Sequence, residues 1–134
     1  MNKKPIEHAQ TSHFNKAVDG LLHVGGKSLA QIENMVCSTP FYVYDKTAIK
    51  NRIQSLEEAL PSKIKLHYAI KANPLPALVN FVQPLVSGFD VASRKEMLVA
   101  IQSGMPAEKV SFAGPGKSDA DLTAAISANV NIHC

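Results

Sequence analysis

The sequence predicts an α/β protein: a parallel sheet whose strands are joined by helical crossovers. Three observations carry this. Short β-rich runs begin near residues 41, 64, 88, 110 and 130, 20–24 residues apart. A helix-period pattern lies between each run and the next. The alternation is strict, which marks βα units rather than segregated strands and helices. Alternation alone fits both an open doubly wound sheet and a closed barrel. A whole eight-stranded barrel takes ~250 residues, and this chain has 134.

The elements follow in order. Residues 1–20 are polar and irregular and read as a tail. Leu21 to Val24, followed by Gly25-Gly26, suggests a short strand and turn. Ser28 can cap a helix carrying Leu29, Ile32, Met35 and Val36. Phe41-Tyr42-Val43-Tyr44 is β-rich and is entered through Thr39-Pro40. Asp45 can cap the next helix, with Ile49, Ile53, Leu56 and Leu60 on one face and Pro61 as its stop. Lys63 to Ile70, with Ile64, Leu66, Tyr68 and Ile70 alternating, reads as a second strand. A helix over 74–86 places Leu75, Leu78, Val79, Val82 and Leu85 together, and Pro84 should kink or shorten it. Phe89 to Ala92 is the third strand. Ser93 and Glu96 form a capping-box pattern for a helix closed by Gly104. Val110 to Ala113 is the fourth strand, Ser118 caps a helix over 119–128, and Val130 to His133 begins a fifth.

Composition narrows the class. At 46% hydrophobic and 19% charged, the chain is too apolar for a disordered protein. Its length suits one domain, here 21–134 after the tail. The net charge of +3 comes wholly from the first half, with nine basic and six acidic residues in 1–67 and five of each in 68–134. No basic stripe is interleaved with aromatics, so nucleic acid is not an implied partner. No apolar run approaches the ~18 residues of a membrane span, and the N-terminus lacks a signal-peptide core. Cys37 and Cys134 make neither a metal spacing nor a disulfide framework, so no metal is expected. These features point to a reducing, cytoplasmic compartment.

In either parallel architecture, chemistry sits at the carboxyl ends of the strands. The residues there are Asp45, Lys71, Asp90, Ser93 and the loop Gly114-Pro115-Gly116-Lys117. Polar βα loops that merely cap helices would look much the same. Lys71 leaves a strand of alternating apolar residues. A partly desolvated lysine favours the neutral amine that attacks an aldehyde. A lysine that only snorkels to solvent is the plainer alternative. Gly116-Lys117-Ser118 resembles the end of a phosphate loop, but the required glycine five positions earlier is Ser111. The nucleotide reading fails on that spacing, which leaves a glycine turn delivering a capped helix. His67 lies opposite Leu66 and Tyr68, and packing between strand and helix is its default role.

Four motifs stand in order: Thr39-Pro40-Phe41-Tyr42-Val43-Tyr44-Asp45, Tyr68-Ala69-Ile70-Lys71-Ala72-Asn73, Phe89-Asp90-Val91-Ala92-Ser93 with Glu96, and Phe112-Ala113-Gly114-Pro115-Gly116-Lys117. Over residues 14–134 the chain resembles the amino-terminal part of the fold-type III decarboxylases that use pyridoxal phosphate. This is the ornithine, diaminopimelate and arginine decarboxylase group. The lead-in 17–20 and the loop 114–117 look most like the bacterial branch associated with exosortase A systems, with diaminopimelate decarboxylases close behind.

The resemblance implies part of an alanine-racemase-like (β/α)8 TIM barrel, about four βα units and the start of a fifth strand. It implies pyridoxal 5'-phosphate as cofactor, an amino acid as substrate, α-decarboxylation as reaction and a homodimer as assembly. By it, Lys71 matches the lysine that carries the cofactor as an internal aldimine. Ala69, Asp90 and Glu96 match residues near lysine and cofactor, and Asn73 supports the lysine motif. Family members continue further. Their later parts supply the ring-stacking histidine, the phosphate-binding glycine loop, the glutamate facing the pyridine nitrogen, and a β-domain with a cysteine and a tyrosine. None has a counterpart here, and Cys134 does not match that cysteine. The expectation is therefore an amino-terminal portion that is inactive alone and associates through unpaired strand edges. The alternative is a non-catalytic cofactor-binding or assembly module.

Overall fold

The computed structural model of the protein describes residues 20–133. The tail 1–19, most of the 17–20 lead-in and Cys134 lie outside the described residues. The chain divides into two compact units, Met1–Ile49 and Lys50–Cys134.

In the first unit, β1 (His23–Val24) and β2 (Lys27–Ser28) form an antiparallel hairpin. Gly25 and Gly26 both sit at positive φ, 58° and 78°. A two-residue hairpin turn that follows the strand twist requires this of both central residues. Ser28 then caps α1 (Leu29–Val36), and its capping box with Gln31 is complete. Cys37 ends that helix in the left-handed region at φ 56°. The strand expected at 41–44 is not one. Residues 41–45 carry no ladder, and Tyr42 is 90% exposed. β-rich composition describes fitness for a half-buried pleated surface, and among the described residues no strand pairs with this run. Asp45 behaves as expected. Its Oδ1 accepts from the amides of Thr47 at 2.8 Å and Ala48 at 3.2 Å, opening α2 (Lys46–Ala59).

The second unit holds a four-stranded parallel sheet in sequence order. Its strands are β3 (His67–Ala69), β4 (Gly88–Val91), β5 (Val110–Ala113) and β6 (Asn131–His133). Three helices form the crossovers: α3 (Pro76–Val82), α4 (Arg94–Gln102) and α5 (Asp119–Ser127). The order β3-β4-β5-β6 makes each strand the neighbour of the next, as successive βα units of a barrel are. Pro84 shortens its helix as expected, and Gln83–Leu85 continues as one 3-10 turn.

Strand pleating sorts the side chains. Phe89, Val91, Val110 and Phe112 point to the helix side and are buried with Ile70, Val79, Val82, Met97, Ala100 and Ala125. Tyr68 meets Phe89 edge-on, ring centroids 6.1 Å apart. Full burial of each large side chain contributes ~1.5–3 kcal/mol, so this face holds the sheet together. The opposite face carries His67, Ala69, Gly88, Asp90, Ser111, Ala113, Asn131 and His133. That face is polar or small throughout.

Candidate functional site

Register assembles the site from residues far apart in sequence. Ala69 lies opposite Asp90, Asp90 opposite Ser111, and Ser111 opposite Asn131, so these four form one row across the sheet. One row further toward the carboxyl ends, Ala113 lies opposite His133. Lys71 follows β3 in the 3-10 turn Ile70–Ala72. A hollow of about 370 Å³ opens here, lined by Ala69, Lys71, Asp90, Ser111, Ala113 and His133 among others. Another hollow, about 330 Å³, is lined by Lys50, Ile53, Glu57 and Leu85. It includes residues just before β4 begins, away from the carboxyl ends.

The segment that presents Lys71 is well anchored. Ile70 is fully buried beside it. Asn73 donates its amide to the Ile70 carbonyl at 3.0 Å and accepts the Tyr68 hydroxyl on its own carbonyl at 3.2 Å. The Asn73 side-chain oxygen takes the Leu75 amide at 3.1 Å. Lys71 itself is exposed, as in the plainer of the two sequence readings. Among the described residues β3 is an outer strand of the sheet, so its end lies at the rim.

Asp90 sits in the middle of β4 with 47% of its side chain exposed. Its Oδ1 lies 3.1 Å from His67 Nδ1. An ionised carboxylate only accepts, so a hydrogen bond to it requires the proton on Nδ1. His67 therefore does not pack between strand and helix as expected but lies on the open face. Gly88 makes this possible. It is the direct register partner of His67, and a Cβ there would lie 2.7 Å from both Cε1 and Nε2 of the imidazole.

Glu96 is not a lining residue. Its Oε2 accepts the Ala92 amide at 2.8 Å, while Ser93 Oγ accepts the Glu96 amide at 3.3 Å. Glu96 thus fastens the turn from β4 into α4, one residue away from the capping-box pattern expected of it. In the loop after β5, Lys117 Nζ donates to the carbonyls of Gly114 at 2.9 Å and His133 at 2.5 Å. It also lies 5.8 Å from the Phe112 ring centroid. Lys117 is engaged in holding β5 to β6, which fits the capped glycine turn and not a phosphate loop.

Sequence reasoning brought out Lys71, Ala69 and Asp90, which the sheet places together. It passed over Ser111 and His133 and misassigned His67. Period-two counting from the buried residues Val110 and Phe112 would have placed Ser111 and Ala113 on the open face. No group of three or more metal-ligating residues occurs among the described residues, and no helix there is long and apolar enough to cross a membrane.

Chemically, the hollow offers a primary amine at the rim, a carboxylate, a hydroxyl and an imidazole. Ala69 and Ala113 contribute only methyl groups to its lining. This set fits a planar ring bearing an aldehyde, which an amine can bind covalently.

Comparisons with known proteins agree. Diaminopimelate decarboxylase of Aquifex aeolicus is 36% identical over 112 residues, covering 84% of this chain and 26% of the relative. A crystal structure of an A. aeolicus protein superposes with a TM-score of 0.81 at 33% identity, covering 91% of this chain and 30% of that one. Diaminopimelate decarboxylase of M. jannaschii in complex with L-lysine gives 0.74 at 27% identity, covering 90% and 29%. The chain therefore spans about a quarter of the length of the curated relative. Residues 46–134 match the family model described as pyridoxal-dependent decarboxylase, pyridoxal binding domain. The four-stranded sheet is part of the TIM barrel of that family, the cofactor is pyridoxal phosphate, and the chain belongs to the pyridoxal-dependent decarboxylases.

Proposed function

We propose that this chain is the cofactor-carrying portion of an amino-acid decarboxylase, with Lys71 as the covalent attachment point for pyridoxal phosphate. Ala69 and Asp90 border the cofactor, and Glu96 holds the adjoining turn. Decarboxylation belongs to the longer protein, and the 134 residues alone carry the lysine without the whole reaction. The substrate class is a free amino acid, supported by the L-lysine complex of the M. jannaschii relative. A homodimer in the cytoplasm is the assembly that goes with this reading.

When bound, pyridoxal phosphate supplies an electron sink for the pair left behind as carbon dioxide departs. The chain's own residues supply position and charge. Lys71 offers its Nζ at the rim, and Asp90 sets a negative charge on the floor of the same hollow. The alanines at 69 and 113 leave room for a flat ring. The observation that supports the reading is the placement of Lys71 directly after a parallel strand, lining one hollow with Asp90.

Borohydride trapping tests it. The chain is incubated with limiting pyridoxal phosphate and reduced, and the label is mapped by peptide mass. Lys71 is one of twelve lysines. The expected result is label concentrated on Lys71 and absent from that peptide in Lys71→Arg. Label spread over the other exposed lysines, with Lys71 not preferred, would overturn the assignment. The chain alone is expected to release no carbon dioxide from lysine or ornithine. Tight stoichiometric cofactor binding without turnover, even in the longer protein, would instead favour a non-catalytic binding module.

A further inference from the structure

We infer that His67 is a positioning residue that clamps the Asp90 carboxylate from below and so fixes its charge in the hollow that Lys71 also lines. The inference rests on the proposed role of Lys71 and goes beyond it, because His67 does not line the hollow at all.

The geometry is layered. His67 lies two residues before Ala69 on β3, hence one step deeper on the same face of the sheet. Its register partner is Gly88, and Asp90 is the next residue of β4 on that face. The imidazole therefore crosses diagonally to the neighbouring strand. It can do so only because residue 88 has no side chain. A Cβ there would meet the imidazole at 2.7 Å and would also collide with the Lys109 carbonyl. A glycine inside a strand is otherwise unfavourable, and it marks a place where another group must come close.

The bond constrains Asp90 in a definite way. Nδ1–H occupies Oδ1 at 3.1 Å, and Oδ2 takes no other hydrogen bond among the described residues. One oxygen is thus tethered to the layer beneath, and the other is free for the hollow that Lys71 also lines. A carboxylate on a single strand would otherwise turn among its rotamers and present its charge unevenly. A fixed charge is worth more to a reacting group than a mobile one, since no reorganisation is then needed during the reaction. The His67 side chain is 32% exposed, against 47% for that of Asp90, so it is the more covered partner of the pair.

The test reads the rate at which Lys71 acquires the borohydride-trapped label. His67→Leu removes the donor, and His67→Asn offers an amide N–H close to where Nδ1 stands. The expected result is roughly tenfold slower labelling of Lys71 in His67→Leu, with most of the loss recovered in His67→Asn. Asp90→Asn should slow labelling too, and His67→Leu/Asp90→Asn should be no slower than Asp90→Asn alone. Additive losses, or wild-type labelling in His67→Leu, would overturn the clamp while leaving Lys71 as attachment point. Loss of Lys71 selectivity in the unmodified chain would overturn both. A measurement free of folding effects is the ¹⁵N spectrum of the neutral imidazole in the unmodified chain. The clamp requires the proton on Nδ1, and a proton on Nε2 would refute it.

Discussion

The Glu96 carboxylate accepts the amide hydrogen of Ala92 at 2.8 Å, so a residue in the first turn of α4 closes the very turn that delivers the helix. Glu96→Ala is expected to lower stability by about 1 kcal/mol, the usual value of a capping contact. Glu96→Gln keeps an oxygen that can accept from Ala92 and should cost less. Chemical denaturation of the three chains measures this, and equal midpoints would show that water replaces the contact.

Lys117 ties the loop after β5 to the carbonyl of His133. Lys117→Met removes two hydrogen bonds and a cation–aromatic contact while keeping the aliphatic stem. A loss of about 1–2 kcal/mol is expected, read as a shift of the thermal midpoint. The substitution should leave no trace in a nucleotide-hydrolysis assay, because hydrolysis should be absent from the unmodified chain.

Gly88→Ala would force the new methyl group against the Lys109 carbonyl and the His67 ring. The expected cost is about 1–3 kcal/mol, as for overpacking elsewhere in a dense interior. Gly116→Ala is the control, since nothing lies within 4 Å of a Cβ there. Equal stability of the two variants would contradict the close approach at residue 88.

The Ser118 hydroxyl, and after it the Ser118 amide, donate to Asp121 and hold its carboxyl below its ordinary value of 3.8. A depressed carboxyl favours the folded state above its unfolded value, and that contribution fades as pH falls through the lowered folded value. Acidification from about pH 5 to about pH 2 should therefore loosen the first turn of α5. The Asp121 carboxyl shift followed by NMR checks this. Titration at or above the ordinary value would contradict it, and Ser118→Ala should return Asp121 toward that value.

The outer edges of β3 and β6 carry no ladder partner among the described residues. Exposed strand edges recruit other strands. The 134-residue chain is expected to associate with rising concentration in sedimentation velocity. A single sharp monomer across the range would count against this.

What the sequence made legible follows the range of each interaction. Asp45, Ser93 and Ser118 cap helices within a few residues of themselves, and all three were readable. The buried alternation Phe89–Val91 and Val110–Phe112 needs only period-two counting, so the strands and their shared face were readable as well. Residues 41–44 misled because strand formation depends on a partner elsewhere, and composition contains no partner. The second strand shrank from 63–70 to His67–Ala69 for the same reason. His67 was misjudged because its partner lies 23 residues on, and only the register between β3 and β4 brings them together. Lys71 was legible as a residue, and of its two sequence readings the structure has the exposed one.

The division of the sheet into a closed apolar face and an open polar one lets the two be altered independently. Exchanging Ser111 or His133 changes what the hollow presents while leaving Phe89, Val91, Val110 and Phe112 in place. Side chains can thus be exchanged at every second position of these short strands without loosening the packing beneath. The same scaffold can change the character of its open face and remain folded at each step.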